Sequence, residues 1–391
     1  MSRRLTAAEL EEIKGRHSLE KVVGEYTKLR KLGGRLVGAC PFCGGNKGAQ
    51  RFEILDKGAS WTCAVCPAGG DIITFLQKAK GLDFRGAIEW LGGELPAADP
   101  EDLKRLQDAH DKKRAAREKT EEKFREAERK RLWKVWEKAF LIHNTRAQAY
   151  LEGRGMVVPD DCPGLRCADD MPYFHGEEVD ERGRRSPIVL HRGPAMVAAF
   201  IRPDGRFGGL HITWITESAA PVKIELHDPE TGELLKPKKM RGSKSGAHIW
   251  LTGPKEPTRL FVAEGIETIG SVYTAMVQAQ RAIEDTAFWA AGDLGNMAGR
   301  SVKTVPHPKL KRPNGRAVSV PNDQPDPDDP GLSIPDSVEE LILLGDGDSE
   351  PVLTEYAMTR AARRYAREGR IIRIAFAPAG QDFNDVLRGA A

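Results

Sequence analysis

"RLFVAEGIETIGSVYTAM", Arg259 to Met276, reads as an apolar strand ending in Glu264, then a glycine, then a helix. Three more short apolar runs follow, with helical segments among them: "AFWAAG" (Ala287–Gly292), "LILLGD" (Leu341–Asp346) and "RIIRIAFAP" (Arg370–Pro378). Apolar strands alternating with helices imply a parallel sheet covered on both faces. In such a sheet, ligands gather beyond the carboxyl ends of the strands. Glu264, the pair Asp346 and Asp348 in "LILLGDGDSE", and Asp382 and Asp385 in "APAGQDFNDVL" each follow one of these strands, so one sheet edge collects them all. Oxygen ligands with no His or Cys among them suit Mg²⁺ or Mn²⁺.

Upstream, the pattern from Pro187 to Leu251 is strand-like. "PAMVAAFIRPDGRFGGLHITWI" (Pro194–Ile215) is two β-rich runs broken by Pro-Asp-Gly and Gly-Gly, a hairpin signal. "KPKKMRGSKSG" then puts Lys236, Lys238, Lys239, Arg241 and Lys244 close together, as an exposed basic loop. Arg202 and His211, from the preceding strands, are candidates for the same cleft. Downstream, residues 301–337 are rich in Pro, Asp and Lys without periodicity, and read as a long loop or partly disordered insertion. Residues 96–145 are dominated by Lys, Arg and Glu. Pairs such as Glu121 with Arg125 and Glu126 with Lys130 lie at i,i+4, which favours a solvated helical spacer.

The N-terminal block carries the most specific spacing in the chain. Cys40, Cys43, Cys63 and Cys66 form C-x2-C-x19-C-x2-C, two knuckles able to hold one structural Zn²⁺ in a closed tetrahedron. Between them, "RFEIL" and "SWTC" read as strands, which makes the block a zinc ribbon. A redox pair would need one C-x-x-C at a helix start, not two matched pairs. Cys162 and Cys167 stand apart and read as ordinary buried cysteines.

The 391 residues are enough for about two or three domains. Sixty Lys+Arg against 57 Asp+Glu leave a net charge of +3, too small by itself to prove a nucleic-acid partner. No apolar run reaches the ~18–20 residues of a membrane span, and the N-terminus lacks the apolar core of a secretory signal, so the expected compartment is the cytoplasm.

"ACPFCGGNKGAQRFEI…WTCAVCPAGGDIITFLQKAKGLDFRGAIEWLGG" (Ala39–Gly93) resembles the N-terminal zinc-binding domain of bacterial and phage DNA primases. That family often has His where this chain has Cys43. The glutamate turn and separate D-x-D resemble the Toprim domain of primases, topoisomerases and some nucleases. "AQAYLEGRGM" (Ala147–Met156), the hairpin, "VAEGIETIGSVYTAM" and "AGQDFNDVL" resemble successive signatures of primases of satellite phages, plasmids and integrative elements. Asp293 in "AAGDLGNMAG" and the 301–337 insertion depart from that pattern.

The expected fold is multidomain α/β: a zinc ribbon (1–95), a charged helical linker (96–145), a mixed α+β subdomain (146–257) and a Toprim-like parallel α/β sheet (258–391). The resemblance implies a DNA primase making short RNA primers by nucleotidyl transfer. Its partners would be a single-stranded DNA template and ribonucleoside triphosphates. Glu264, Asp346, Asp348 and Asp382 are the candidate catalytic groups, the first three holding about two Mg²⁺ or Mn²⁺ ions, with Glu264 also a candidate general base. Trp61, Phe52, Lys47 and Arg51 are candidates for template contact, and Arg202, His211, Lys238, Lys239, Arg241 and Lys244 for nucleotide or backbone phosphates. No G-x-x-x-x-G-K-[ST] loop is present, so any replicative helicase would be a separate partner. The rival readings are a Toprim nuclease or hydrolase, and a non-catalytic nucleic-acid-binding accessory protein.

Overall fold

The computed structural model describes residues 5–32, 35–42, 51–55, 58–63, 69–93, 100–180, 183–311, 315 and 317–389. The chain divides into two units, Met1–Glu118 and Lys119–Ala391.

The first unit is an antiparallel meander of five short strands: β1 (Leu29–Leu32), β2 (Arg35–Gly38), β3 (Phe52–Leu55), β4 (Ser60–Cys63) and β5 (Gly69–Gly70). Helices α1 (Ala7–Gly15), α2 (Leu19–Gly24), α3 (Ile72–Lys80) and α4 (Phe84–Trp90) accompany it. Its core is aromatic. Trp61 stacks on Phe52 at 5.2 Å between ring centroids and meets Phe75 edge-on at 5.7 Å. Asp71 joins the parts: one oxygen caps α3 at Thr74 N (3.0 Å), and the other pairs with Lys14 of α1 (2.9 Å).

Helix α5 (Pro100–Lys138) follows. Its last turns are not the solvated spacer that their composition suggests. Arg129, Leu132 and Trp136, at helical spacing, are buried, and the Arg129 guanidinium is held by Glu122 and Glu126 and donates to Ser243 Oγ at 3.2 Å. Leu132 and Trp136 share a hydrophobic cluster with Tyr173, Val197, Ile212 and Trp214.

The second unit is organised by one ten-stranded sheet. Its antiparallel half contains β6 (Phe140–Leu141), β7 (Leu165–Val179), β8 (Arg185–Ile201) and β9 (Phe207–Trp214), with α6 (Arg146–Gly153) preceding β7. The expected β8–β9 hairpin is present, with Gly205 at φ +74° in its turn. A small pair, β10 (Leu226–His227) and β11 (Leu234–Leu235), leads to β12 (Lys238–Gly242) and β13 (His248–Thr252). The basic stretch is therefore not a loop: Lys238–Gly242 is a strand antiparallel to β9, with Lys238 opposite Thr213.

The other half is built from β14 (Arg259–Ala263), α7 (Ile266–Gln278), β15 (Thr286–Ala290), α8 (Leu294–Ala298), β16 (Thr304–Lys311), β17 (Ala317–Pro321), β18 (Glu340–Gly345), α9 (Pro351–Tyr365), β19 (Ile371–Phe376) and α10 (Phe383–Leu387). The sheet order is β12-β9-β8-β13-β15-β14-β18-β19, with β15, β14, β18 and β19 mutually parallel. Strand alternation sorts the two faces. Ile342, Leu344 and Phe288 meet Ile266, Ile269 and Tyr150 on one side, whereas Leu341, Leu343 and Leu260 meet Met297, Met358 and Tyr365 on the other. Each large apolar side chain so buried contributes about 1.5–3 kcal/mol.

The sheet runs unbroken through Pro257, since β13 and β14 both pair with β15. The described residues of the 301–337 stretch are not a bare loop: β16 and β17 pair as their own two-stranded sheet.

Candidate functional site: a two-signed cleft at the strand ends

From β14 the chain crosses to β15 on one side, then returns past β14 to β18 on the other. Such a reversal opens a crevice at the carboxyl ends of the two central strands. Glu264 lies immediately beyond β14, and Asp346 immediately beyond β18. A cavity of about 550 Å³ lies there, with Glu264, Asp346, Asp348 and Asp382 all on its wall. Gly347, between the two aspartates, must be glycine: a Cβ there would stand 2.1 Å from the Pro378 carbonyl oxygen. Its N–H donates to Gln381 O at 2.9 Å, and its carbonyl accepts from Gly380 N at 2.8 Å, so the D-G-D turn is clamped to the loop that carries Asp382.

Burial raises the pKa of Asp346 to about 6, against a hydrogen bond from Thr268 Oγ1 (3.2 Å) and with the charges of Glu264, Asp348 and Asp382 adding to the rise. Burial likewise raises Glu264; Lys238 opposes this and Asp348 adds to it. Crowded, half-desolvated carboxylates are the donor set of a hard divalent cation, whose charge would relieve their repulsion. Among the described residues, no three His, Cys, Asp or Glu side chains already stand grouped around a metal position. Asp382 has a second duty. Its Oδ1 accepts from Asp385 N (2.7 Å), and Asp385 Oδ2 accepts from Asp382 N (3.2 Å), which is the capping box of α10. Asp385 acts there as the cap's partner and is not on the cavity wall.

Cations line the same cavity, and residues that the sequence reading passed over organise them. Glu267, in the first turn of α7, is 6% exposed. Its carboxylate receives Lys238 Nζ (3.0 Å), Lys223 Nζ (2.8 Å) and Tyr150 OH (2.8 Å). Burial opposes its charge, but the two ammonium groups win and hold its pKa far below the usual carboxylate range. Lys236 and Arg154 complete this cationic lining. A Glu at the second position of a glycine-led helix, three residues past a strand-end Glu, was the available signal; only the fold reveals that Lys223 and Tyr150 converge on it.

The other predicted contacts divide. His211 lines the cavity, 6% exposed, and burial together with nearby Lys238 lowers its pKa to about 4, so it is neutral near pH 7. Lys239 reaches the rim, but its ammonium donates to the Phe174 carbonyl and sits 3.8 Å from the Tyr173 ring centroid. Arg241 is turned away, pairing with Glu128 of α5 at 2.5 Å. Arg202 pairs with Asp204 in the β8–β9 turn (3.1 Å) and is absent from the wall. Lys244 pairs with Asp293, which also caps α8 at Asn296 N (2.8 Å). That cap accounts for the unexpected aspartate.

In the first unit, Trp61 is 1% exposed and Phe52 fully buried, and Trp61 Nε1 donates to Asp71 O (3.0 Å). Neither ring has a face left for a base, because a small ribbon needs its aromatics as core. Arg51 is exposed. Cys40 and Cys63 are buried, at 2% and 5% exposure, Cys63 in register with Phe52. Cys43, Cys66 and Lys47 lie outside the described residues. Two buried cysteines from separate knuckles fit a thiolate-bound zinc. Cys162 and Cys167 are buried as expected, and burial pushes the Cys162 thiol up to about 12.

Among the described residues no helix is long and apolar enough to cross a membrane. Residues 5–102 match the family model described as a CHC2 zinc finger, and residues 126–251 match a domain of unknown function, DUF7146. A DNA primase of Halalkalibacterium halodurans is 34% identical over 101 residues, 26% of this chain and 16% of that protein. A DNA primase of Mycobacterium leprae is 32% identical over 93 residues, 24% of this chain and 14% of that protein. The chain thus spans less than a fifth of these relatives. The Aquifex aeolicus primase structure, comprising zinc-binding and RNA polymerase domains, is 15% identical, covering 97% of this chain and 82% of that one, with a TM-score of 0.33.

Proposed function

We propose that this chain, whose residues 5–102 are a CHC2 zinc ribbon of the DNA-primase type, is itself a DNA primase that makes short RNA primers on single-stranded DNA. The observation that carries the reading is the two-signed cavity, lined by Glu264, Asp346 and Asp348 and also by Lys223, Lys236 and Lys238. Nucleotidyl transfer needs both signs. A 3′-hydroxyl attacks the α-phosphorus of an incoming triphosphate in line, and pyrophosphate leaves. Glu264, Asp346 and Asp348 would hold divalent ions, Mg²⁺ or Mn²⁺, which supply charge neutralisation and lower the hydroxyl's pKa when bound. Lys238, fixed by Glu267, faces the triphosphate, with Lys223 behind it on the same carboxylate. Glu264, whose pKa burial raises, is a proton acceptor for the attacking hydroxyl. Neutral His211 adds a polar wall without competing for phosphate. The zinc ribbon would contact template through exposed groups such as Arg51 rather than through Trp61. On this reading the protein works in the cytoplasm beside a separate helicase.

The test is Asp346→Asn, assayed with mixed-sequence single-stranded DNA, labelled nucleotides and Mn²⁺ on a gel. Primer synthesis should fall at least about 100-fold, a transition-state loss of roughly 2.7 kcal/mol, while template binding survives. Near-parental synthesis by the Asn variant would overturn the assignment. Shortened template would favour a nuclease, and binding without products an accessory protein.

A further inference from the structure

We propose that the β16–β17 hairpin is an arm that grips the sugar–phosphate backbone of nucleic acid beside the carboxylate cleft, an inference that rests on the polymerase reading above. Its charge is segregated. From Leu294 to Asn322 the sequence has no Asp or Glu but carries Arg300, Lys303, Lys309, Lys311, Arg312 and Arg316. The acids of the insertion all follow, and cations at the arm's base pair with four of these five, the exposed Asp328 being the exception. Asp323 pairs with Arg363 of α9 (2.5 Å), Asp326 with Arg300 (3.3 Å) and Asp336 with Arg367 (3.1 Å). Lys303, Lys309 and Lys311 are exposed, and among the described residues none of them makes an ion pair. Most of the acids that would neutralise a merely solvated hairpin are thus spent at its base, and the cations on its strands are left for an outside polyanion.

A two-stranded hairpin is marginal alone, so its anchoring matters. Val320 is buried, the Arg360 guanidinium donates to Asn322 O (2.5 Å), and Asn322 N donates to Lys303 O (3.1 Å). His307 is 2% exposed, and its Nδ1 accepts from Lys309 N (3.1 Å) and Leu310 N (2.7 Å). That places the ring proton on Nε2, which lies 3.0 Å from Glu350 Oε1 without a well-aligned hydrogen bond. Glu350 caps α9 two residues beyond Asp348. The arm is therefore fastened to the turn that carries the D-x-D carboxylates. At its base, Arg300, Ser301 and Pro321 line a cavity of about 520 Å³ that shares Asp293 with the carboxylate cleft.

Prolines at 306 and 308 remove amide donors from β16, so this edge is poorly suited to adding a protein strand. Unpaired lysines next to a reacting 3′ end suit phosphates a few nucleotides away.

The experiment uses the full chain with Lys303, Lys309 and Lys311 changed to Ala, after its melting curve is matched to the parent's. Binding of labelled single-stranded DNA, and of the same strand carrying an RNA primer, is followed across a salt series. Three lost phosphate contacts, at about 0.7 each, should flatten the log–log salt slope by about 2 and weaken low-salt binding roughly tenfold. Loss with either nucleic acid supports the arm, and the one more affected identifies the strand it holds. An unchanged slope with both overturns it. Asp346→Asn should keep the parental slope while losing synthesis. If the parent makes no primer yet the lysine variant loses slope, the arm stands and the polymerase reading falls; the converse result sinks the arm alone. Should the triple variant melt early, Lys309→Glu reads the same slope at one exposed side chain.

Discussion

The two units treat burial in opposite ways. In the first, the buried positions are aromatic, aliphatic or cysteine, and Trp61, Phe52 and Phe75 pack on one another. In the second, a carboxylate, three imidazoles and two arginines are buried as well: Glu267, His211, His248, His307, Arg129 and Arg360. The contrast follows from size. A ribbon of this length has little core to lose, so it buries apolar groups and relies on metal. A ten-stranded sheet with helices on both faces can tolerate buried charge, and two of these groups, Glu267 and His211, line the cleft. In the larger unit a buried polar group therefore bears on the site where it also lines the cleft, as Glu267 and His211 do, while buried aromatics in the smaller one point only to packing.

The largest expected effect tests the metal side of this contrast. Cys63→Ser should drop zinc from about one per chain to near none and abolish the ribbon's cooperative transition, since zinc–thiolate binding contributes roughly 10 kcal/mol or more to folding in small zinc domains. Metal analysis and calorimetry decide it; a Ser variant that keeps its zinc would break the comparison.

Next comes acid sensitivity in the second unit. His248, stacked on Trp289 at 3.5 Å, has its pKa lowered to about 3 by burial. Its folded pKa is below the ordinary ~6.5. Stability is therefore full above that value and is lost as pH falls toward the folded pKa, by up to about 3 kcal/mol near pH 4. Denaturant titrations over that window should slope less steeply for His248→Phe than for the parent. Equal slopes would mean that the imidazole is hydrated.

Glu267→Gln should cost about 2 kcal/mol. It leaves Lys223 and Lys238 facing each other without their anion, a loss reduced because both lysines are about one-third exposed. Glu267 also has a pKa held below the carboxylate range, so its contribution is present above about pH 4.3 and disappears in stronger acid. A urea midpoint equal to the parent's would remove the network from the account.

The smallest effects separate neighbours on β12. Lys238→Ala should raise the nucleotide KM about tenfold, or roughly 1.4 kcal/mol. Arg241→Ala should leave it unchanged and cost under about 1 kcal/mol of stability, because its partner is Glu128 near the surface. Equal KM changes in both would mean that strand alternation does not sort these cations.

The covalent order of the chain was enough to find what depends on local pattern. The spacing of Cys40, Cys43, Cys63 and Cys66 announced a ribbon, and four apolar runs ending in Glu264, Gly292, Asp346 and Pro378 announced a parallel sheet with acids at one edge. These signals are legible because strand period, turn residues and ligand spacing act over a few residues. The role of each charge was not legible, because it depends on partners far away in sequence. Trp61 and an exposed stacking tryptophan look alike until Phe52 and Phe75 close over it. Lys238 and Arg241 lie three apart in one basic run, yet one meets Glu267, 29 residues on, and the other Glu128 in α5. The 301–337 stretch looked structureless because what holds its described residues comes from α9, through Arg360, Arg363 and Glu350, and not from its own periodicity. Local propensity selects elements and tells which residues can act as acids, ligands or caps. Only the tertiary structure decides which of them lose water, and desolvation sets what a charge does.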